Sequence, residues 1–323
     1  MSTLIGRTLP AGGTIGIAFP ASPASRYSDI LRGIAWWESH GYQVKLAEGA
    51  RERSDYFAGS PERRAKDLLA LFEDPEVDAI QCLRGGYGSA EVIPLLDFDQ
   101  MAKHPKAFIG FSDITALHCA MQRFTGLATF YGPSLTSVAD PGFPEFSSSR
   151  MLAVLGGETT GPFPRNPEDP FIGKLAPGKA SGRLVGGCLS DLIHTLGTPW
   201  EVDLKGAIFV FEEVGSSPHG IDRALLHLTQ AGKLKNVRGV AIGHLTGCEF
   251  DDGDCSPFPR TRNLEEVFEA RLGGLGVPVV YGFPFGHGSH FATLPMGVNA
   301  TPLPHRMMRL CWRTTGDDEL QRR

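Results

Sequence analysis

Residues 107–122 read AFIGFSDITALHCAMQ, and this stretch decides the fold. Its first five residues are apolar and suit a short buried strand, whereas residues 113–122 place apolar side chains at the spacing of a helix. Ser112 stands at the corner between the two patterns. The free N–H groups of a helix N-terminus can bind an oxyanion. The stretch therefore predicts a serine hydroxyl exposed beside such a terminus.

Two interpretations of this corner are open on these residues alone. The sequence Gly-Phe-Ser-Asp at 110–113 resembles a nucleophile elbow, although it lacks the second glycine of G-x-S-x-G. Serine is also a preferred residue at the N-cap of a helix, and capping is the commoner role. Ser112 is thus a candidate nucleophile with a purely structural alternative.

Strand and helix patterns alternate through residues 1–140, outward from this stretch in both directions. In order along the chain, the patterns are a strand at 14–19, a helix at 27–40, a strand at 43–46, a helix at 61–72 and a strand at 78–83. Such alternation predicts a doubly wound parallel sheet covered by helices. Ligands bind beyond the C-terminal ends of the strands in these sheets, which is where Ser112 and the loop RGGYG at 84–88 both fall.

The rest of the chain predicts a second α/β domain. Residues 141–180 are rich in Pro, Gly and Ser and indicate a linker. In residues 181–323 the periodicity resumes, and strands are predicted at 207–211, 239–245, 277–281 and 307–312. We therefore expect an N-terminal nucleophile domain at 1–140, a linker at 141–180 and a C-terminal domain with a mixed sheet at 181–323.

Composition excludes several classes of protein. The 323 residues carry a net charge of −5, which argues against a nucleic-acid-binding protein. No apolar stretch approaches the roughly 20 residues of a membrane helix, and residues 1–10 show no apolar signal region. The six cysteines are scattered rather than paired in motifs. We expect a reduced cytoplasmic protein with no membrane partner.

A nucleophilic serine needs a base within hydrogen-bond reach and an acid that orients the base. Glu212 and Glu213 end an apolar strand, although two adjacent acids in that position are more often solvated loop charges. His287 lies in the loop GFPFGHGSH at 282–290, which is too rich in Gly and Pro for a regular element. His287 is therefore a candidate base, and His290 is its local competitor.

Two further motifs could bind ligands. The loop at 84–88 leaves backbone N–H groups free for an anion, but it is not G-x-G-x-x-G, and a plain tight turn is an equal alternative. A polar cluster matches neither the zinc nor the EF-hand spacing and is interpreted as a solvated acidic loop. Its members are His244, Cys248, Glu249, Asp251, Asp252, Asp254 and Cys255. We expect neither a metal nor an organic cofactor.

Taken together, these segments resemble the LD-carboxypeptidase family of serine peptidases, the muramoyltetrapeptide carboxypeptidase group. The resemblance covers nearly the whole chain, and the order and spacing of its segments make it specific. The matching segments are 9–17, 56–59, 74–80, 84–88, 108–117, 182–187, 209–213, 221–223, 282–287 and 293–297.

The resemblance implies a role for each candidate residue. Ser112 would be the nucleophile, His287 the general base and Glu212 the acid that orients it. The oxyanion hole would consist of the backbone N–H groups of Asp113 and Gly86. The implied substrate is a murein-derived tetrapeptide that loses its terminal D-alanine, and the implied assembly is a homodimer without a cofactor.

Three positions depart from the family pattern. The family usually has Asp where Glu213 stands and commonly has Asn at the position of Cys188. Residues 216–219, SSPH, replace a more typical acidic and proline-containing segment. The last two changes could line a substrate groove.

Two alternatives to murein peptide hydrolysis stay open on the sequence. The same superfamily includes microcin-immunity peptidases, which cleave aminoacyl or peptidyl sulfamoyl-adenylates and would need an aromatic-lined slot for adenine. The loop at 84–88 resembles the carboxypeptidase branch. A two-domain binder of small peptides or sugars, without catalysis, is the other alternative.

Overall fold

The computed structural model describes residues 3–158, 160–163, 165–169, 171–249, 262–302 and 308–311. Within these ranges the chain forms two α/β units, each built on one sheet. The prediction of an α/β protein with two sheets is confirmed.

The first sheet contains five parallel strands in the order β2-β1-β3-β4-β5. Its elements are β1 Thr14–Ala18, α1 Tyr27–Ser39, β2 Gln43–Leu46, α2 Pro61–Glu73, β3 Ala79–Cys82, α3 Ser89–Val92, α4 Phe98–Lys103, β4 Ala107–Gly110, α5 Thr115–Phe124, β5 Thr129–Tyr131 and α6 Leu135–Val138. Two short 3₁₀ turns, Ile93–Leu95 and Ser112–Ile114, interrupt this series. The core lies between the parallel strands and the covering helices, with fully buried Trp37, Phe72 and Phe108 among its largest side chains.

The segment predicted as a linker contains regular structure. Helix α7, Glu145–Leu155, packs its Met151 and Leu155 into the first core. Strands β6, Thr160–Pro162, and β7, Gly173–Ala176, pair at opposite edges of the second sheet. Packing against neighbouring elements therefore overrides the local Pro and Gly content here, whereas the division of the chain at residues 140 and 181 stays a prediction.

The second sheet is mixed. Its parallel centre is formed by β8 Gly182–Cys188, β9 Ala207–Val214, β10 Gly239–Thr246 and β11 Val279–Tyr281. Antiparallel strands extend it on both sides, among them β13 Asn299–Pro302 and β14 Met308–Cys311. Its helices are α8 Leu189–Thr195, α9 Pro218–Gln230 and α10 Leu264–Leu272, with a 3₁₀ turn at Gly273–Leu275.

One strand of the second half belongs to the first sheet. Strand β12, Leu294–Met296, pairs antiparallel with β5, and Leu294 lies opposite Tyr131. A shared apolar cluster covers this junction and includes Tyr131, Phe285 and Phe291. The loop that precedes β12 is thereby held over the C-terminal edge of the first sheet, where Ser112 lies.

Candidate active site

Ser112 occupies a strained turn between β4 and α5. Its φ is +63°, in the left-handed region that non-glycine residues adopt rarely and that is often found at functional sites. The N-cap of the 3₁₀ turn is Phe111, and Ser112 makes no side-chain capping hydrogen bond. The capping interpretation of Ser112 is therefore wrong. The turn presents the hydroxyl at the end of the strand, as the alternative interpretation requires.

The loop at residues 84–88, called the glycine loop below, packs directly on this turn. A Cβ on Gly85 would lie 2.8 Å from Ser112 Cβ and 3.1 Å from Asp113 N, so only glycine fits there without displacement. The Asp113 carboxylate accepts a 2.8 Å hydrogen bond from Ser89 N, just beyond the loop. Burial raises the pKa of Asp113, although the hydrogen bonds from Ser89 and Gly88 oppose this effect. The loop and the serine turn thus form one rigid unit.

Glu212 and His287 form the hydrogen-bonded pair that the site is built around. Glu212 is fully buried near the end of β9, and its Oε2 lies 2.8 Å from His287 Nδ1 and accepts a 3.2 Å hydrogen bond from His287 N. Burial lowers the pKa of His287, but the hydrogen bond to Glu212 and the charges of Glu212 and Glu213 outweigh it and raise the pKa above its ordinary value. The carboxylate binds Nδ1, so Nε2 remains to accept a proton.

A tyrosine that the sequence did not single out connects this pair to the serine turn. Tyr131, at the end of β5, donates a 2.6 Å hydrogen bond to Glu212 Oε1 and accepts a 3.2 Å hydrogen bond from Ser112 N. Burial and the Glu212 charge raise the pKa of Tyr131 well above its ordinary value, so the hydroxyl keeps its proton. The signal that could have identified it is its place at the C-terminal end of a parallel strand.

Ser112 and His287 are neighbours without a direct hydrogen bond. Phe111, which precedes the serine, packs against the His287 ring with 4.8 Å between ring centroids. Within the described residues, the Ser112 hydroxyl has no hydrogen-bond partner. Catalytic hydrogen bonds are commonly long before substrate binds. The three candidate side chains are therefore brought to one place, with the serine–histidine contact still open.

Glu213 points away from His287 and serves the local structure. Its carboxylate accepts hydrogen bonds of 2.8 Å from Ser190 N and 2.5 Å from Ser190 Oγ, and one of 2.8 Å from Val214 N. Adjacent residues of a strand point to opposite faces, so only one of the two glutamates can meet the histidine. The structure gives that contact to Glu212.

The competing histidine makes contacts other than those of the catalytic candidates, and only part of the polar cluster is described. His290 Nδ1 lies 3.5 Å from Glu168 Oε2, and its ring packs against Phe146. Of the polar cluster, His244, Cys248 and Glu249 are described, and the other four members lie outside the described residues. No group of three or more metal-ligating side chains occurs in the part of the chain that the structure describes. Nor does any helix there have the length and apolar character needed to cross a membrane.

Cys188, one of the three departures from the family pattern, is buried behind the site. Its N–H donates a 3.0 Å hydrogen bond to Thr115 Oγ1, and its thiol lies 3.7 Å from Glu213 Oε1. Burial and the surrounding carboxylates raise the pKa of this thiol strongly, so it stays protonated and is not a competing nucleophile.

Sequence comparison identifies the family. The LD-carboxypeptidase N-terminal domain matches residues 15–132, and the LD-carboxypeptidase C-terminal domain matches residues 181–301. A probable murein peptide carboxypeptidase of Bacillus subtilis is 37% identical over 298 residues, which is 91% of this chain and 90% of the relative. The chain belongs to the LD-carboxypeptidase family. The prediction of a serine-type carboxypeptidase is confirmed at this level.

Solved structures of two kinds of LD-carboxypeptidase relative share the fold. A muramoyltetrapeptide carboxypeptidase of Oxalobacter formigenes superposes with a TM-score of 0.82 at 28% identity, covering 93% of this chain and all of the other. The microcin C7 self-immunity protein MccF superposes with a TM-score of 0.85 at 25% identity, covering 96% of this chain and 99% of the other. Fold similarity alone therefore does not separate the two branches.

Proposed function

We propose that this LD-carboxypeptidase hydrolyses the L,D-amide bond of murein tetrapeptides and releases terminal D-alanine, as a step of peptidoglycan recycling. The observation that carries the proposal is the 2.8 Å contact between Glu212 Oε2 and His287 Nδ1 beside the strained turn of Ser112. A buried carboxylate that orients a histidine next to a half-buried serine is the arrangement of an acyl-transfer enzyme.

Each residue then has a defined chemical task. His287 Nε2 accepts the proton of the Ser112 hydroxyl while the oxygen attacks the carbonyl carbon of the scissile amide. The resulting imidazolium is stabilised by Glu212. The same proton passes to the leaving amine, which departs as D-alanine. Water activated by His287 then cleaves the acyl ester and restores the serine.

The tetrahedral oxyanion needs two donors in the Ser112 turn and its neighbouring loop. Asp113 N lies at the start of the helical turn, where N–H groups have no intrahelical partner. The Gly86 N–H has no partner among the described residues, and the Gly85 contact holds its loop against Ser112. We propose these two groups as the oxyanion hole.

A second candidate function has a specific observation in its favour. Tyr56 and Tyr87 are 62% and 55% exposed, and their rings cluster with that of Phe57 beside the glycine loop. Aromatic faces stack on nucleobases as well as on other planar groups. MccF has been solved with aspartyl sulfamoyl adenosine bound. Hydrolysis of aminoacyl or peptidyl sulfamoyl-adenylates is therefore the alternative substrate class.

Mass spectrometry of the products decides between the two. The unaltered protein and the Ser112→Ala variant are each incubated with murein tetrapeptide, murein pentapeptide and a peptidyl sulfamoyl-adenylate. Release of D-alanine from the tetrapeptide by the unaltered protein alone supports the proposal. Turnover of the adenylate alone assigns the second function, and full activity in Ser112→Ala contradicts the serine mechanism.

The family resemblance also supports a homodimer in the cytoplasm, with a murein-derived peptide as its substrate. Sedimentation velocity at micromolar concentration tests the assembly. Fractionation of the native host, followed by detection of the protein with an antibody, tests the compartment.

A further inference from the structure

An enzyme that removes one C-terminal residue has to recognise a free carboxylate at a fixed place. This inference rests on the proposed function. In the proposed substrate, that carboxylate lies one residue beyond the scissile carbonyl. Arginine is the side chain best suited to hold a carboxylate, because its guanidinium offers paired, charge-assisted hydrogen bonds. The relevant cation should therefore lie about one residue length from Ser112.

The backbone of Arg84 lies one residue from a contact with Ser112. It precedes Gly85, whose Cα faces the Ser112 side chain closely enough that a Cβ there would lie 2.8 Å from Ser112 Cβ. Consecutive Cα atoms are about 3.8 Å apart. The Nε atom of Arg84 also lies 3.8 Å from the point that a Cβ on Gly86 would occupy. Its side chain thus runs along the loop that carries the proposed oxyanion donor.

The guanidinium of Arg84 is free to bind a ligand. The residue as a whole is half-buried, and among the described residues its side chain has no hydrogen-bond partner and no ion-pair partner. A partly desolvated charge without a partner is unfavourable unless a ligand supplies one. Arg84 therefore supplies a positive charge that no described residue of the protein neutralises.

The neighbouring cations are already engaged. Arg64 is fully buried, and its guanidinium donates to the carbonyl oxygens of Gly59, Pro20 and Gly88 and to the carboxylate of Glu91. Arg64 therefore fixes the glycine loop from behind. His290, in the loop of the catalytic histidine, faces Glu168.

We propose that Arg84 binds the carboxylate of the C-terminal residue of the substrate. It is a specificity-determining residue, since it selects a peptide that ends one residue after the scissile bond. A peptide with an amidated C-terminus lacks the charge that Arg84 pairs with. The same contact fixes the leaving residue while Ser112 attacks.

The test pairs a change in the protein with a change in the substrate. Rates are measured for a tetrapeptide with a free C-terminus and for the same peptide as a C-terminal carboxamide, with the unaltered protein, Arg84→Gln and Arg84→Lys. Arg123→Gln is the matched control, because it removes one positive charge at the exposed far end of α5. We expect the unaltered protein and the control to prefer the free acid about 10- to 100-fold in kcat/KM.

Arg84→Gln should lose this preference by slowing cleavage of the acid while leaving cleavage of the amide nearly unchanged. Arg84→Lys should retain part of it, since a point charge replaces a bidentate one. A purely structural role would slow both substrates equally, and that result overturns the inference. An undiminished preference for the acid in Arg84→Gln overturns it as well.

Binding to inactive protein keeps the inference separate from the proposed function. The dissociation constants of the acid and amide peptides are measured by calorimetry with Ser112→Ala and with the double variant Ser112→Ala/Arg84→Gln. If the unaltered protein cleaves neither peptide, the proposed function fails. In that case a preference for the acid that disappears in the double variant still supports carboxylate binding by Arg84, and equal binding in both proteins overturns it.

Discussion

Tyr131 donates a 2.6 Å hydrogen bond to Glu212, and this contact joins the last strand of the parallel sheet to the central strand of the mixed sheet. The same hydroxyl accepts from the main chain of Ser112. The candidate acid Glu212 and the candidate nucleophile Ser112, which come from different halves of the chain, are therefore positioned relative to each other by one buried phenol. This arrangement makes Tyr131 a positioning residue in the proposed reaction.

Tyr131→Phe should lower kcat about 10- to 100-fold with little change in KM, because Glu212 and Ser112 N each lose a partner in a buried site. The matched control is Tyr42→Phe, which removes a hydroxyl beside Trp37, remote from the site. The kcat value from steady-state kinetics and the rate of Ser112 labelling by a fluorophosphonate should fall by the same factor. Equal effects of the two substitutions would contradict the positioning role.

The pH profile should report the raised pKa of His287. Protonated imidazole cannot accept the serine proton, so kcat/KM falls as the pH drops through that pKa, which lies above the ordinary value of about 6.5. Glu212→Gln removes the largest of the effects that raise the pKa of His287 and leaves the burial that lowers it. We expect the acidic limb to move to lower pH and the rate to fall by about 10⁴-fold.

Glu213→Gln should act mainly on stability rather than on the pH profile. The substitution disturbs the hydrogen bonds to Ser190 and Val214 in a buried position and should lower the free energy of unfolding by about 1–3 kcal/mol. The acidic limb of kcat/KM should move to lower pH by much less than in Glu212→Gln, because only the smaller charge effect of Glu213 is lost and the hydrogen bond from His287 to Glu212 is intact. Chemical denaturation and the pH profile measure the two effects. If Glu213→Gln shifts the limb and Glu212→Gln does not, the acid is the neighbouring residue.

Gly286→Ala should inactivate the enzyme through the acid–base pair. At φ +100° the new Cβ would meet Glu212 Cγ and Oε2, which forces the carboxylate away from His287. A displacement of about 1 Å can cost about 100-fold in rate. The control is Gly232→Ala, which imposes the same kind of left-handed strain at φ +71° with no atom within 4 Å. It should lose stability but keep its activity.

His118 should make the fold sensitive to acid. Burial lowers its pKa to about 4, although its hydrogen bond to Gly110 O opposes this effect. Between about pH 6.5 and 4 the unfolded chain binds a proton that the folded protein does not, so stability falls as the pH drops through this range. We expect His118→Gln to flatten this dependence by up to about 3 kcal/mol. Urea unfolding at pH 7 and pH 4.5 gives the free energy of unfolding at each pH. An identical loss of stability between the two pH values in both proteins would exclude the effect.

Much of the parallel sheet could be predicted from the sequence, because its short apolar strands and amphipathic helices satisfy local rules. Strand β2 falls on the predicted residues, and α1 ends one residue before its predicted limit. The role of Tyr131 could not be predicted in this way. An aromatic residue in a strand indicates a core position, and its polar partner is 81 residues away. Such a contact depends on how the two halves pack together.

The strand that crosses between the halves was missed for a different reason. Pro295 argues against a strand by local rules, yet it is tolerated at a sheet edge, where it pairs with Phe130. Helix α7 was missed because the prolines and glycines around it indicate a linker. The distinction between Glu212 and Glu213 was likewise open, since it depends on which face of β9 meets the His287 loop.

The late position of β12 in the chain has a consequence for synthesis on a ribosome. Residues up to Tyr131 emerge first and carry the serine turn, but the strand that pairs with the edge of their sheet follows more than 160 residues later. Domains that emerge first generally fold first. A nascent or truncated chain that ends before β12 would display Ser112 on a sheet with an open edge, without the proposed base and the proposed acid held in place. The proposed hydrolysis therefore requires translation beyond β12, and we expect products that terminate before it to be inert.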